Sequence, residues 1–94
     1  MLKYLFGESA IVKILDFLLD EWEVDFSKTD VARSAKLTWK AVDDAWSILE
    51  KFELVKHTRT VGRAKMYKIN VENPIYKALK ALDMEILKKL DERC

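Results

Sequence analysis

The chain has 94 residues, half of them hydrophobic, and 17 basic against 16 acidic side chains for a net charge of +1. That length carries one domain with a small core, and a pI of about 7.8 excludes a surface that is basic throughout, since such nucleic-acid binders usually exceed roughly 9. One cysteine, Cys94, excludes an intrachain disulfide and points to a reducing compartment; the absence of glutamine, with only Asn70 and Asn73 as asparagines, fits a thermophilic source.

No apolar run is long enough for a membrane span, and "MLKYLFGESA" lacks the length and cleavage pattern of a secretory signal, so a cytoplasmic location is expected. Residues 1–26 hold two basic and six acidic side chains, net −4. After Gly7, in "ESAIVKILDFLLD", Ile11, Ile14, Leu15, Leu18 and Leu19 recur at intervals of three and four, which predicts a helix over 8–20. "EWEVDF" then alternates Trp22, Val24 and Phe26 with acids, the pattern of a short strand. In "SKTDVARSA", Ser27 is a good N-cap, Asp30 complements the helix dipole, and Val31, Ala32 and Ala35 face inward. Thr38 caps a further helix over 39–52, with Val42, Ala45, Trp46, Leu49 and Phe52 on its inner face and Trp39 off it. Two capped helices separated by about three residues form a helix-turn-helix over 27–52.

Residues 54–60 and 64–71 are rich in β-branched and aromatic side chains, with Gly62 between them in "TVGRA". This predicts a β-hairpin over 54–71 with Arg63 at its tip. Residues 56–70 hold five basic side chains and no acid, net +5, while 27–55 and 71–94 are each net 0. The positive charge is therefore concentrated on the hairpin. Asn73-Pro74 opens a last helix over 74–91, proline being well placed at its first position, with Ile75, Ala78, Leu79, Leu82, Ile86 and Leu90 as its apolar stripe. The predicted class is mainly α with a small β-hairpin (α+β), in a single domain over 1–94.

The run "FSKTDVARSAKLTWKAVDDAWSILEKFELV" followed by "KHTRTVGRAKMYKI" resembles the winged helix-turn-helix of small archaeal and bacterial transcription regulators, the MarR-like and ArsR-like broad group. The resemblance spans 6–71 and rests on Val31-Ala32, on Leu37, Val42 and Ala45, on Leu54-Val55, and on the return strand "RAKMYKI". Three departures stand out. Lys36 and Glu53 occupy positions where the family usually has glycine, which implies a slightly rearranged turn. Asp43 and Asp44 lie in the recognition helix. The clustered cysteines and histidines of ArsR-like metal sensors are absent, so metal sensing does not carry over, and no cofactor is implied.

The resemblance implies a recognition helix in the major groove of double-stranded DNA and a wing along the backbone or into the minor groove. Thr38 can donate to a phosphate, Lys40 can reach a phosphate or a guanine edge, and Trp39 can pack on sugar or a thymine methyl. Asp43 either accepts from a cytosine amino group or, like Asp44, sits on a solvated face paired with Lys36 or Lys40. Lys28, Thr29 and Arg33 either touch the backbone or serve as caps and surface charge. On the wing, Lys56, His57, Arg59, Arg63, Lys65 and Lys68 favour phosphate contact over plain solubilising charge. His57 reads as an ordinary strand histidine, and no nucleophile–base pair or phosphate-binding glycine loop suggests an enzyme.

Related regulators use terminal helices to build a two-fold dimer. Here Leu2 and Leu5 with Leu79, Leu82, Ile86 and Leu90 offer such a surface, the alternative being packing within one chain. The acidic N-terminal third, the near-neutral pI and the acidic residues of the recognition helix support a second function: a winged-helix module that contacts another protein through that helix and Trp39. No effector is legible.

Overall fold

Four short polar side chains set where the main helices begin. In the computed structural model, which describes residues 2–92, Ser9 accepts from the Val12 N–H at 3.4 Å, Ser27 from Asp30 at 3.2 Å, Thr38 from Ala41 at 3.1 Å and Asn73 from Ile75 at 2.7 Å. Each satisfies a helix N–H that has no partner inside its own helix. The elements are α1 (Lys3–Phe6), α2 (Ala10–Asp20), α3 (Lys28–Ala35), α4 (Trp39–Lys51), β1 (Val55–Val61), β2 (Ala64–Ile69) and α5 (Pro74–Glu92). At α3 the cap is reciprocal, because the Asp30 carboxylate also accepts from the Ser27 N–H at 2.9 Å.

The core lies where α2, α3 and α4 meet the hairpin. Ile14, Leu18 and Leu19 of α2, Val31 of α3, and Val42, Trp46 and Leu49 of α4 are at most 1% exposed. Through them runs a file of edge-to-face rings: Phe17–Phe26 at 5.6 Å, Phe26–Trp46 at 6.1 Å and Trp46–Tyr67 at 5.2 Å between centroids. Such pairs each add about 0.5–1.5 kcal/mol beyond the area they bury. The file joins helix to wing, so the hairpin stands on the aromatic core instead of projecting freely.

The hairpin is antiparallel, from Val55 opposite Ile69 to Val61 opposite Ala64, with an irregularity between His57 and Arg59. Gly62 carries a positive φ of 61° at the first turn position while Arg63 has none, the requirement of a two-residue II′ turn. The strand expected in "EWEVDF" shrinks to one bridge. Phe26 and Tyr67 exchange N–H···O bonds of 2.8 and 2.7 Å, while Trp22 and Val24 are 41% and 49% exposed and join no strand among the described residues.

Other expectations need correction at element ends. The second helix starts at Ala10, since Ser9 is its cap. Phe52, expected inside, is the C-cap of α4 and is 48% exposed. On α5, Ile75 and Ala78 face out, and the inward side uses Tyr76 and Asp83 with half-buried Leu79, Leu82 and Ile86. Asn73 fixes that rotation: its Nδ2 donates to the Phe52 and Glu53 carbonyls at 2.7 and 2.8 Å, joining the end of α4 to the start of α5. The N-terminal segment forms α1, not foreseen as a helix, with the Leu2 and Lys3 N–H groups donating to the Asp16 carboxylate at 2.8 and 3.3 Å.

Among the described residues, the two non-glycine residues with positive φ are Lys36 at 58° and Glu53 at 56°. These are the two positions where glycine was expected. The turn is therefore not rearranged; a lysine and a glutamate adopt the left-handed conformation themselves. At Lys36 this closes α3, its N–H donating to the Ala32 and Arg33 carbonyls. A left-handed side-chain-bearing residue costs about 1–2 kcal/mol, partly offset by the greater unfolded-state freedom of glycine. Lys36→Gly and Glu53→Gly should each raise stability by about 0.5–1 kcal/mol in urea or thermal unfolding; a loss at either site would contradict the strain argument.

Candidate nucleic-acid interface

The helix-turn-helix sets two helix starts side by side and the hairpin brings basic side chains to them. Ser27 and Thr38 each spend one hydroxyl lone pair on capping, which fixes both helix ends. Trp39, first residue of α4, is 54% exposed. It lines an open cleft of about 270 Å³ together with Ser27, Lys28, Thr29, Arg63, Ala64, Lys65 and Tyr67. Five residues singled out in the sequence, Lys28, Thr29, Trp39, Arg63 and Lys65, thus converge on one concave surface between α3, α4 and the wing. Thr38, Lys40, Asp43 and Arg59 do not line it.

The cations differ in how far they are engaged. Lys28 lies 2.9 Å from Asp43 Oδ1 and also stands 5.8 Å from the Trp39 centroid and 5.9 Å from that of Trp46. It is three-quarters buried by side-chain area, so its charge is shared with a carboxylate and two indole faces. The partner of Asp43 is therefore Lys28 of the preceding helix, not Lys36 or Lys40. Lys40 meets Asp44 at 3.6 Å one turn along α4, with both side chains largely exposed, a pair of little energetic weight.

Arg59 is held by a residue that the sequence does not flag. Its Nε donates to Asp25 Oδ2 at 2.8 Å and its Nη2 to Oδ1 at 3.5 Å, while the Thr58 hydroxyl donates to the same carboxylate at 3.4 Å. The Arg59 hydrogen bond, opposed by some desolvation and helped by Coulomb attraction, lowers the Asp25 pKa below 3.8. A depressed carboxylate contributes stability above its unfolded pKa and loses it as pH falls through the folded one. The tether accordingly persists through neutral pH and is lost only in stronger acid than the usual carboxylate range. Beside the Phe26–Tyr67 bridge, it ties the wing to the loop before α3. Only an acid in an alternating stretch precedes it in sequence, and no local signal pairs it with a residue 34 positions away.

His57 is satisfied locally: its Nε2 is 3.1 Å from Thr60 Oγ1 and its ring meets Tyr67 edge-on. Of the proposed dimer residues, Leu5 is 59% exposed and lies with Tyr4, Ile86, Lys89 and Leu90 around a second open cleft of about 350 Å³. Leu79 and Leu82 are half-buried against the chain's own core. Leu2 must be withdrawn from that surface, because it is 1% exposed and part of the intrachain core. Cys94 lies outside the described residues. Among those described, no group of three His, Cys, Asp or Glu is gathered as for a metal, and no helix is long and apolar enough to cross a membrane.

No protein-family model matches the chain, and no curated protein matches it. Solved structures do. ZitR of Lactococcus lactis, as an apo double mutant, aligns with a TM-score of 0.70 at 21% identity, over 95% of this chain and 70% of that one. MepR, described as a transcription regulator of the Staphylococcus aureus multidrug efflux pump MepA, aligns at 0.69 and 16%, over 99% and 70%. A MepR point mutant bound to an oligodeoxyribonucleotide aligns at 0.67 and 17%, over 99% and 70%. The chain has the winged helix-turn-helix fold of these proteins, with α3 and α4 as the helix-turn-helix, β1 and β2 as the wing, and α5 as an added C-terminal helix.

Proposed function

We propose that this protein is a cytoplasmic, DNA-binding transcription regulator that acts as a homodimer. The observation carrying the proposal is the cleft in which Lys28, Thr29, Trp39, Arg63 and Lys65 converge. A duplex laid across it would meet the N-terminus of α3, an exposed indole and the wing cations. Backbone attraction through Arg63 and Lys65 supplies most of the affinity, and the start of α4, with Lys40, supplies the base-facing surface. Arg59 contributes less than its charge suggests, since Asp25 shares it. MepR, of the same fold, is a transcription regulator, and a variant of it has been solved with an oligodeoxyribonucleotide.

The competing function, a protein-interaction module, draws on the acidity of α4, on exposed Trp39, on the acidic first 26 residues and on the near-neutral pI. Asp43 and Asp44 each have a cationic partner, which weakens the first of these grounds. Fluorescence anisotropy on a mixed-sequence duplex at low salt tests the DNA reading; saturable binding is expected, and its absence would overturn the proposal.

The dimer would form through α1 and α5, around Tyr4, Leu5, Ile86 and Leu90, with Leu79 and Leu82 backing that surface. Two-fold symmetry would then set two α4 helices about 34 Å apart, one DNA turn. Leu5→Asp should shift sedimentation from dimer to monomer while the monomer keeps its helical circular dichroism, because Leu5 is exposed and outside the intrachain core. An unchanged dimer would exclude this interface.

A further inference from the structure

We infer that Asp43 is a base-reading residue of α4, accepting a hydrogen bond from the exocyclic amino group of a cytosine. The inference rests on the DNA-binding reading above and deepens it. An acid near phosphates is ordinarily repelled, but the Lys28 ammonium at 2.9 Å neutralises Asp43 and holds the carboxylate in one orientation. That bond uses Oδ1; Oδ2 has no hydrogen-bond partner among the described residues, and 43% of the side chain is exposed. Asp43 lies one turn after Trp39, in the N-terminal half of α4, where a recognition helix approaches base edges.

The chemistry of the acceptor selects the base. A carboxylate cannot donate, so in the major groove it can take only the amino hydrogens of cytosine or adenine. Adenine sets the N7 lone pair beside its amino group, facing the carboxylate with a second acceptor. Cytosine has no such neighbour. Asp44 is the poorer candidate, since its partner Lys40 is 3.6 Å away and 85% exposed, which leaves its carboxylate without a fixed direction.

Selection from a randomised duplex pool tests the inference, with wild type, Asp43→Ala and Asp43→Asn run in parallel and thermal unfolding used to verify that each is folded. Wild type should enrich cytosine at one position per recognition helix. Asp43→Ala should lose that preference alone and bind the selected site about tenfold or more weakly. It should also bind unrelated duplexes a few-fold more tightly, because Lys28 is released toward phosphate. Asp43→Asn, which can both donate and accept, should move the preference at that position to adenine. Identical selected sequences for wild type and Asp43→Ala, or tighter binding of Asp43→Ala to every duplex including the selected one, would overturn the inference. Wild-type binding without sequence preference would also overturn it while leaving the DNA-binding reading intact. Failure of wild type to bind any duplex at low salt would overturn both.

Discussion

Trp46→Ala should lower the melting temperature by roughly 15–30 °C, the consequence of losing about 3–5 kcal/mol. Trp46 is fully buried and its ring packs edge-to-face against those of both Phe26 and Tyr67. Its removal opens a cavity where helix and wing are joined, in a domain whose total stability is on the order of 5–15 kcal/mol. Trp46→Phe should be far milder, about 1 kcal/mol. The indole Nε1 has no hydrogen-bond partner among the described residues, so phenylalanine removes an unsatisfied donor while keeping most of the packing. Chemical denaturation of the two variants checks this. Equal losses for Phe and Ala would mean that the indole N–H contributes a bond the structure does not contain.

The second large effect is on binding. Arg63 and Lys65 are exposed, line the cleft and have no carboxylate partner among the described residues. Each phosphate contact contributes a slope of about −0.9 in log affinity against log salt. Losing two contacts costs about 60-fold at 0.1 M salt, or roughly 2.4 kcal/mol. Arg63→Ala with Lys65→Ala should therefore weaken duplex binding by about that factor per protomer and leave thermal stability within about 0.5 kcal/mol. Anisotropy at fixed salt measures the first effect and calorimetry the second. Unchanged affinity in a folded double variant would remove the wing from the mechanism.

What could be read from the sequence was what local physics decides. Ser27, Thr38 and Asn73-Pro74 mark helix starts because a cap acts on N–H groups two or three residues ahead. Gly62 marks the hairpin for an equally local reason, its freedom to take the positive φ that the first position of a II′ turn requires. The strand at Trp22–Phe26 failed because alternation says nothing of whether a partner strand is within reach; only Phe26 found one, in Tyr67. Phe52 and Ile75 were misplaced because each sits at a helix end, where the three-and-four spacing no longer predicts direction, and Asn73 turns α5 to bury Tyr76 instead. Lys36 and Glu53 keep the glycine backbone geometry without glycine, which composition alone cannot reveal.

The site was legible as a list of cations and not as an electrostatic arrangement. Charge counting treats Lys28, Arg59, Arg63 and Lys65 alike. Folding assigns Lys28 to Asp43 and Arg59 to Asp25 across 15 and 34 residues, whereas exposed Lys56, Arg63 and Lys65 and half-buried Lys68 have no carboxylate partner among the described residues. On the proposed DNA-binding reading, the same pairing changes what the acidity of α4 means: Asp43, paired with Lys28 at 2.9 Å, is an oriented acceptor instead of a source of repulsion.

The most direct measurement of the central claim is the affinity of the wild-type protein for a duplex between 50 and 200 mM salt. The account predicts binding at 50 mM and a slope of about −3 to −4 per protomer, for four phosphates met by basic side chains of the wing, falling in magnitude by about 1.8 in the Arg63→Ala, Lys65→Ala variant. No binding at 50 mM, or a slope that the double variant leaves unchanged, would contradict it.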